Sequence, residues 1–125
     1  MKWVYVYKIN PAKLINMHVF PVPMIIVYVT CRNQKEAEKI AKALLSKHLI
    51  ACANIIQSKS LYRWKGKLHN NSEAILFLKT RKSVFSKARD AIKKLHSYDV
   101  PCILRLDAEP NKEYFKWLCR EVKLN

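Results

Sequence analysis

The chain has 125 residues, half of them hydrophobic, and its 24 Lys and Arg against 9 Asp and Glu give a formal net charge of +15. This composition excludes a disordered chain, and the length predicts one domain that buries roughly two-thirds of its unfolded surface. The chain has 1 glycine, which excludes the phosphate-binding loops that need several glycines at fixed spacing.

The first 23 residues differ from the rest of the chain. Residues 3–7 alternate like a strand, but prolines interrupt the segment that follows. The apolar stretch is too short for a signal peptide, and no apolar window is long enough to predict a transmembrane helix. We therefore expect one domain over residues 24–125, with residues 1–23 as an N-terminal extension or a product of start-codon choice.

The cysteines indicate the compartment. The chain has 4 cysteines and no C-x-x-C pair, so the spacing of a zinc site is absent. Without a secretory signal, reduced thiols in a cytoplasmic protein are the default expectation.

The first half of the domain predicts a strand, a helix and a long hairpin. Ile25–Val29 is a continuous β-branched and apolar run, typical of a central strand, and Asn33 is placed to cap the helix that follows. Gly66 then lies between two long β-like runs, Ile50–Trp64 and Glu73–Thr80. A glycine there supplies the positive φ that a hairpin turn needs.

The second half continues with a helix, a strand and a helix. Val84–Leu95 has one apolar helical face that Thr80 or Ser83 can cap, Val100–Leu106 reads as a strand, and Asn111 leads into a short terminal helix. The order β-α-β-β-α-β-α is the split βαβ of ferredoxin-like folds. We predict an α+β protein with one antiparallel sheet and helices on one face.

The hairpin is too long for a single domain of this size. Ile50–Trp64 would span about 50 Å as a strand, whereas the radius of gyration of such a domain is about 13–14 Å. We expect a projecting or bent arm that turns at Gly66 and docks Tyr62 and Trp64 on a neighbouring subunit. The second sheet face also lacks covering helices, so the sequence predicts a homo-oligomer.

Motifs over residues 24–122 resemble the CutA divalent-cation tolerance family. The resemblance implies a homotrimer of ferredoxin-like subunits, similar in architecture to the PII signalling proteins, with a role in divalent-metal tolerance. Copper binding has been attributed to some members of that family, and no enzymatic reaction is established for it. The resemblance therefore implies a metal-binding protein and not an enzyme. The motifs are Ala51-Cys52-Ala53-Asn54-Ile55, Ser60-x-Tyr62-x-Trp64-x-Gly66-Lys67, Glu73 with Lys79-Thr80, His96-x-Tyr98-x-x-Pro101 and Tyr114-x-x-Trp117.

The resemblance also suggests a metal site, with departures. The copper site proposed in the family uses a first-strand cysteine, a histidine and an acid. Here Val29 holds the cysteine position, Cys31 lies two residues on, and His96 is retained. Two positions where the family often has acids are Cys102 and His69. We therefore expect weak binding of copper or another divalent metal at intersubunit clefts, with His96 as ligand and Cys102 and His69 as helpers.

Each candidate ligand also has a structural alternative. His96 could instead cap the carbonyls at the end of the second helix, and Cys102 could be a small packing residue. One histidine does not make a metal site by itself.

Two other functions stay open at this point. A PII-like sensor would hold a small anionic ligand near Lys79 and Arg81, at the start of the second helix. A basic nucleic-acid-binding module shares the split βαβ order, but the RNA-recognition signature is absent, so nucleic acid is not the expected partner. No Ser-His-Asp order, paired-carboxylate motif or H-E-x-x-H is present, so we predict no enzyme.

Overall fold

The computed structural model describes residues 23–124 of the chain. The predicted extension, residues 1–23, lies outside the described residues apart from Pro23. The elements in chain order are β1 (Met24–Cys31), α1 (Gln34–Ser46), β2 (Cys52–Trp64), β3 (Lys67–Arg81), a 3-10 turn (Lys82–Val84), α2 (Phe85–Leu95), β4 (Ile103–Ala108) and α3 (Lys112–Glu121).

The strands form one antiparallel sheet in the order β2-β3-β1-β4. β1 is central, because it pairs with β3 on one side and with β4 on the other. Alternate β1 residues Ile25, Val27 and Val29 are completely buried, as expected for a strand with one face on the core. The sheet order is that of a ferredoxin-like fold, which confirms the predicted α+β class.

The core lies between one face of this sheet and helices α1 and α2. Asn33 caps α1 as predicted, since its side-chain oxygen accepts a 2.8 Å hydrogen bond from the Glu36 backbone N–H. None of the helices within residues 23–124 is long and apolar enough to cross a membrane. The helix residues that pack on the sheet are Ala37, Ile40, Ala41, Leu44, Ala88, Ala91 and Ile92.

The start of α2 differs from the prediction. Thr80 lies inside β3, and its hydroxyl donates a 2.7 Å hydrogen bond to the Leu49 carbonyl. Ser83 lies in the 3-10 turn, and α2 begins at Phe85 without a side-chain cap. Neither predicted cap is used, because the 3-10 turn carries the chain from β3 into the helix.

The hairpin arm is longer than the sequence indicated. β3 begins at Lys67, not at Glu73, and pairs with β2 all the way to the turn. β1 pairs only with Ala74–Arg81 of β3. The remaining residues 67–73 therefore form a two-stranded arm with residues 58–64, about 23 Å long at the usual rise per residue. This confirms the prediction that the hairpin projects past its own domain.

The second sheet face is largely uncovered in the single chain. Helix α3 covers only one end of this sheet face, where Leu118 and Val122 pack with Met24, Ala51 and Val84. On β4, which begins at Ile103 and not at Val100 as predicted, Leu104 and Leu106 are 49% and 47% exposed. We call this uncovered surface the open face.

Candidate metal centre and adjoining cleft

Three metal-ligating side chains meet where β1 ends, α1 begins and α2 ends. One ligand atom from each of Cys31, Glu36 and His96 lies within 4.8 Å of the other two. A thiol, a carboxylate and an imidazole form a mixed donor set that suits Zn²⁺ or Cu²⁺. We call this group the three-donor group.

The thiol of the three-donor group is fully buried. Cys31 is the last residue of β1 and has no exposed surface. Burial, and next the charges of Glu36 and Glu73, raise the pKa of the Cys31 thiol to about 12. The thiol is therefore protonated at neutral pH, and a metal that binds it has to displace a proton.

The carboxylate of Glu36 connects α1 to the segment after α2. Its Oε1 accepts a 2.9 Å hydrogen bond from the Arg32 backbone N–H, and its Oε2 accepts one of 2.9 Å from the Ser97 backbone N–H. We call these two bonds the Glu36 bridge. Partial burial alone would raise the pKa of Glu36, but the hydrogen bonds from Ser97 and Arg32 outweigh it and hold the pKa below its usual value.

Both ring nitrogens of His96 already have backbone partners. Nδ1 accepts a 3.0 Å hydrogen bond from the Tyr98 N–H, so the proton lies on Nε2, which donates a 2.8 Å hydrogen bond to the Thr30 carbonyl. The residue is only 9% exposed. A metal at His96 has to displace one of these bonds. The side chain bonds to β1 and not to the carbonyls of α2, which the alternative interpretation as a helix cap would require.

The two helpers predicted for His96 lie elsewhere in the described chain. Cys102 lies near Glu73, and burial and next the Glu73 charge raise the pKa of its thiol. His69 lies on the arm and stacks on Tyr62, with ring centroids 5.2 Å apart. Within one chain, the structure therefore joins His96 to Cys31 and Glu36 instead.

A cavity of about 730 Å³ opens on the side of the sheet away from α1 and α2. We call it the cleft. Its floor includes Glu73, which is 5% exposed and whose Oε2 accepts a 2.6 Å hydrogen bond from the Tyr98 hydroxyl. The Tyr98 ring also contacts the His96 ring, with centroids 4.8 Å apart. The cleft and the three-donor group therefore share Tyr98 as a wall. The lining residues are Tyr28, Thr30, Ser58, Lys59, Ser60, Leu61, Tyr62, Trp64, Glu73, Ser97, Tyr98, Asp99, Val100 and Cys102.

The residues predicted to anchor a neighbouring subunit lie on the arm. Tyr62 and Trp64 are exposed, and the Tyr62 hydroxyl accepts a 2.8 Å hydrogen bond from the Asn71 amide. Gly66 forms the tip with φ of +78°. Tyr62 and Trp64 also line the cleft, and His69 stacks on the Tyr62 ring, so Trp64 is the more accessible of the two rings to a neighbouring chain.

The residues predicted to hold an anionic ligand lie outside the cleft lining. The Lys79 ammonium lies 5.8 Å from the centroid of the Tyr114 ring, beside α3. Arg81 is the last residue of β3 and pairs with Met24. Their role with an anion stays a prediction.

Sequence reasoning did not consider Glu36 as a candidate ligand and treated Cys31 only as a displaced cysteine. A usable signal existed, because the Asn33 cap places Glu36 in the first turn, close behind the end of the first strand. The cap alone therefore indicates a carboxylate close to Cys31, without information on tertiary contacts.

The fold and the site define a small ferredoxin-like α+β protein with a mixed-donor group beside an aromatic cleft. Residues 25–121 match the family model described as CutA1 divalent ion tolerance protein. The chain belongs to this family.

Known relatives support this assignment over most of their length. The "Divalent-cation tolerance protein CutA" of Pyrococcus horikoshii is 45% identical over 101 residues, which cover 80% of this chain and 99% of that protein. Human "Protein CutA" is 39% identical over 93 residues, 73% of this chain and 52% of that protein. The name of the Pyrococcus horikoshii protein describes divalent-cation tolerance, and the name of a rice relative, "Protein CutA 1, chloroplastic", places that protein in the chloroplast.

Solved structures share the fold. The crystal structure of CutA1 from Pyrococcus horikoshii has a TM-score of 0.77 at 43% identity, covering 79% of this chain and 98% of that one. The structure of a CutA from Archaeoglobus fulgidus, described as periplasmic, has a TM-score of 0.78 at 40% identity. The match covers 80% of this chain and 99% of that one. CutA1 from Oryza sativa has a TM-score of 0.79 at 34% identity, covering 84% and 98%.

Proposed function

We propose that this protein acts in divalent-metal tolerance as a homotrimer that binds copper or zinc weakly at Cys31, Glu36 and His96. The observation that carries the proposal is the three-donor group, whose ligand atoms lie within 4.8 Å of one another. Membership of the CutA1 divalent ion tolerance family supports the same class of function.

The weakness of binding follows from what the metal has to displace. Cys31 gives up a proton held with a pKa of about 12, and His96 gives up one hydrogen bond to the backbone. Both losses reduce the net affinity of a site that is otherwise well placed. The predicted helpers Cys102 and His69 contribute only where a neighbouring subunit brings them to the three-donor group.

Calorimetric titration of the full chain with Cu²⁺ and Zn²⁺ tests the proposal. We expect affinity to rise by up to about tenfold per pH unit between pH 6.5 and 8.5, because each bound metal releases one thiol proton. Cys31→Ser and His96→Ala should each weaken binding at least tenfold. Cys119→Ser, on α3, is the matched control and should bind as the parent does.

Two results would contradict the metal site. One is a titration of Cys31→Ser that matches the parent at every pH. The other is an affinity without pH dependence. Circular dichroism of each variant separates lost binding from lost folding.

The trimer is supported by the open face and the arm. Leu104 and Leu106 form an apolar strip beside the cleft, and Tyr62 and Trp64 extend past the domain on the arm. Exposed apolar surface of this kind marks a protein interface. An arm that reaches a neighbouring open face would cover both.

We place the protein in the cytoplasm. Cys31, Cys52, Cys102 and Cys119 are all free thiols, and reduced cysteines are usual where glutathione and thioredoxin operate. Fractionation of the native cells with an antibody against the chain tests this. Recovery from the periplasm or another oxidising compartment would overturn it.

A further inference from the structure

The cleft has a charge balance opposite to that of the whole molecule. The chain carries a formal net charge of +15. The charged residues that line the cleft are Glu73, Asp99 and Lys59. Two carboxylates against one ammonium make this cavity locally acidic on a strongly basic protein. Coulomb attraction inside such a cavity favours a cation over an anion.

Glu73 is the central charge of the cleft. It is 5% exposed and accepts one hydrogen bond through Oε2 from the Tyr98 hydroxyl. Within residues 23–124 no Lys or Arg forms an ion pair with it. A carboxylate buried to this degree without a cationic partner is costly. A bound cation would offset that cost.

Aromatic rings form part of the remaining cleft lining. Tyr28, Tyr62, Trp64 and Tyr98 all line the cavity. The faces of such rings attract ammonium groups, and aromatic cages recognise alkylated ammonium ions in this way. The volume of about 730 Å³ is far larger than a bare metal ion needs and is typical of a site for a small organic molecule.

From these three observations we propose that the cleft binds a small organic cation, an alkylammonium or polyamine, through the Glu73 carboxylate and the surrounding aromatic rings. Asp99 lies at the exposed side of the cleft and supports a second positive group. This site is separate from the three-donor group, although both contact Tyr98, and the neighbouring subunit of the proposed trimer would close its open side.

Calorimetric titration of the full chain in metal-free buffer with EDTA tests the proposal. The probes are choline, putrescine and agmatine. The matched probe is 3,3-dimethyl-1-butanol, which has the shape of choline without its charge, and citrate represents the anions. We expect at least one cation to bind at least tenfold more tightly than the uncharged alcohol and than citrate.

Variants assign the binding to the cleft. Glu73→Gln should weaken binding of the cation at least tenfold. Glu109 is an exposed acid outside the cleft lining, so Glu109→Gln should leave the binding affinity unchanged. Asp99→Asn, at an exposed position, should weaken binding of the diamine at least threefold. This variant provides the test if Glu73→Gln does not fold. The cations are titrated in EDTA and the metals without it, so failure of the metal site and failure of this site are distinguishable.

Several outcomes would overturn the proposal. Binding of none of the three cations would do so, as would equal binding of the uncharged alcohol or tighter binding of citrate. So would cation binding that survives both Glu73→Gln and Asp99→Asn without loss.

Discussion

At the scale of single residues, Glu36 makes contacts that do not depend on a metal. Its two oxygens accept backbone N–H groups of Arg32 and Ser97, which belong to segments far apart in the chain. Hydrogen bonds to a charged acceptor are stronger than those to a neutral one. The Glu36 bridge therefore holds the end of α2 against the start of α1.

Replacing Glu36 tests this bridge in the metal-free protein. An amide keeps one acceptor oxygen and loses the other, so we expect Glu36→Gln to lower the free energy of unfolding by about 1 kcal/mol after solvent screening. Urea unfolding near neutral pH measures it. Glu38→Gln is the matched control, since Glu38 bonds only to Gln34 among the described residues.

The difference in unfolding free energy between the parent and Glu36→Gln should change with pH in a definite direction. The pKa of Glu36 is lowered in the folded protein from 4.5, so its stabilisation is fully present above that value. It is lost as the pH falls through the lower, folded-state pKa. The stability difference between parent and Glu36→Gln should shrink in acid. A difference that stays constant as the pH falls well below 4.5 would contradict the bridge.

At the scale of elements, the turn of the arm depends on two left-handed residues. Lys65 has φ of 52° and Gly66 has φ of 78°, the combination that suits a two-residue hairpin turn. A Cβ added at Gly66 would meet nothing within 4 Å. Any cost of substitution there is therefore backbone strain and not a steric clash.

Gly66→Ala should lower the free energy of unfolding by about 1 kcal/mol, the usual cost of a left-handed conformation for a residue with a Cβ. Lys65→Asn should raise it by a few tenths of a kcal/mol, because asparagine tolerates this conformation better than lysine. Thermal unfolding of both variants measures the effects. Equal stability of Gly66→Ala and the parent would show that the turn adopts another conformation.

The sequence predicted elements that depend on local patterns and missed those that depend on pairing. The Asn33 cap and the central strand Ile25–Val29 were correct, because capping and β-branched runs are local signals. The predicted start of β3 was wrong because Lys67–Ser72 is mostly polar and becomes a strand only by pairing with β2. The sequence also named His96 as a ligand, which stays a prediction, but its approach to Cys31 depends on the tertiary fold.

At the scale of the whole molecule, the open face has a direct test. We expect light scattering after size exclusion to give about three times the chain mass of 14.7 kDa. Replacing both Leu104 and Leu106 with Arg should reduce that mass, because buried unpaired charges at an interface are costly. Leu124→Arg is the control, since Leu124 is also exposed but lies beyond α3.

Two results would contradict this interpretation. A parent protein with the mass of one chain would remove the trimer. A double variant that keeps the parent mass would show that the open face is not the interface, and the arm would then be the surface to vary next.

Because Cys31 is completely buried, a metal reaches its thiol only when the structure opens locally. Local openings of a native protein occur at their own frequency, and no metal concentration can increase that frequency. Stopped-flow loading should therefore level off at high metal concentration, and the plateau should rise in Glu36→Gln. A brief surge of metal would then pass without filling the site, whereas a sustained excess would fill it, so the protein would respond to the duration of exposure as well as to its level.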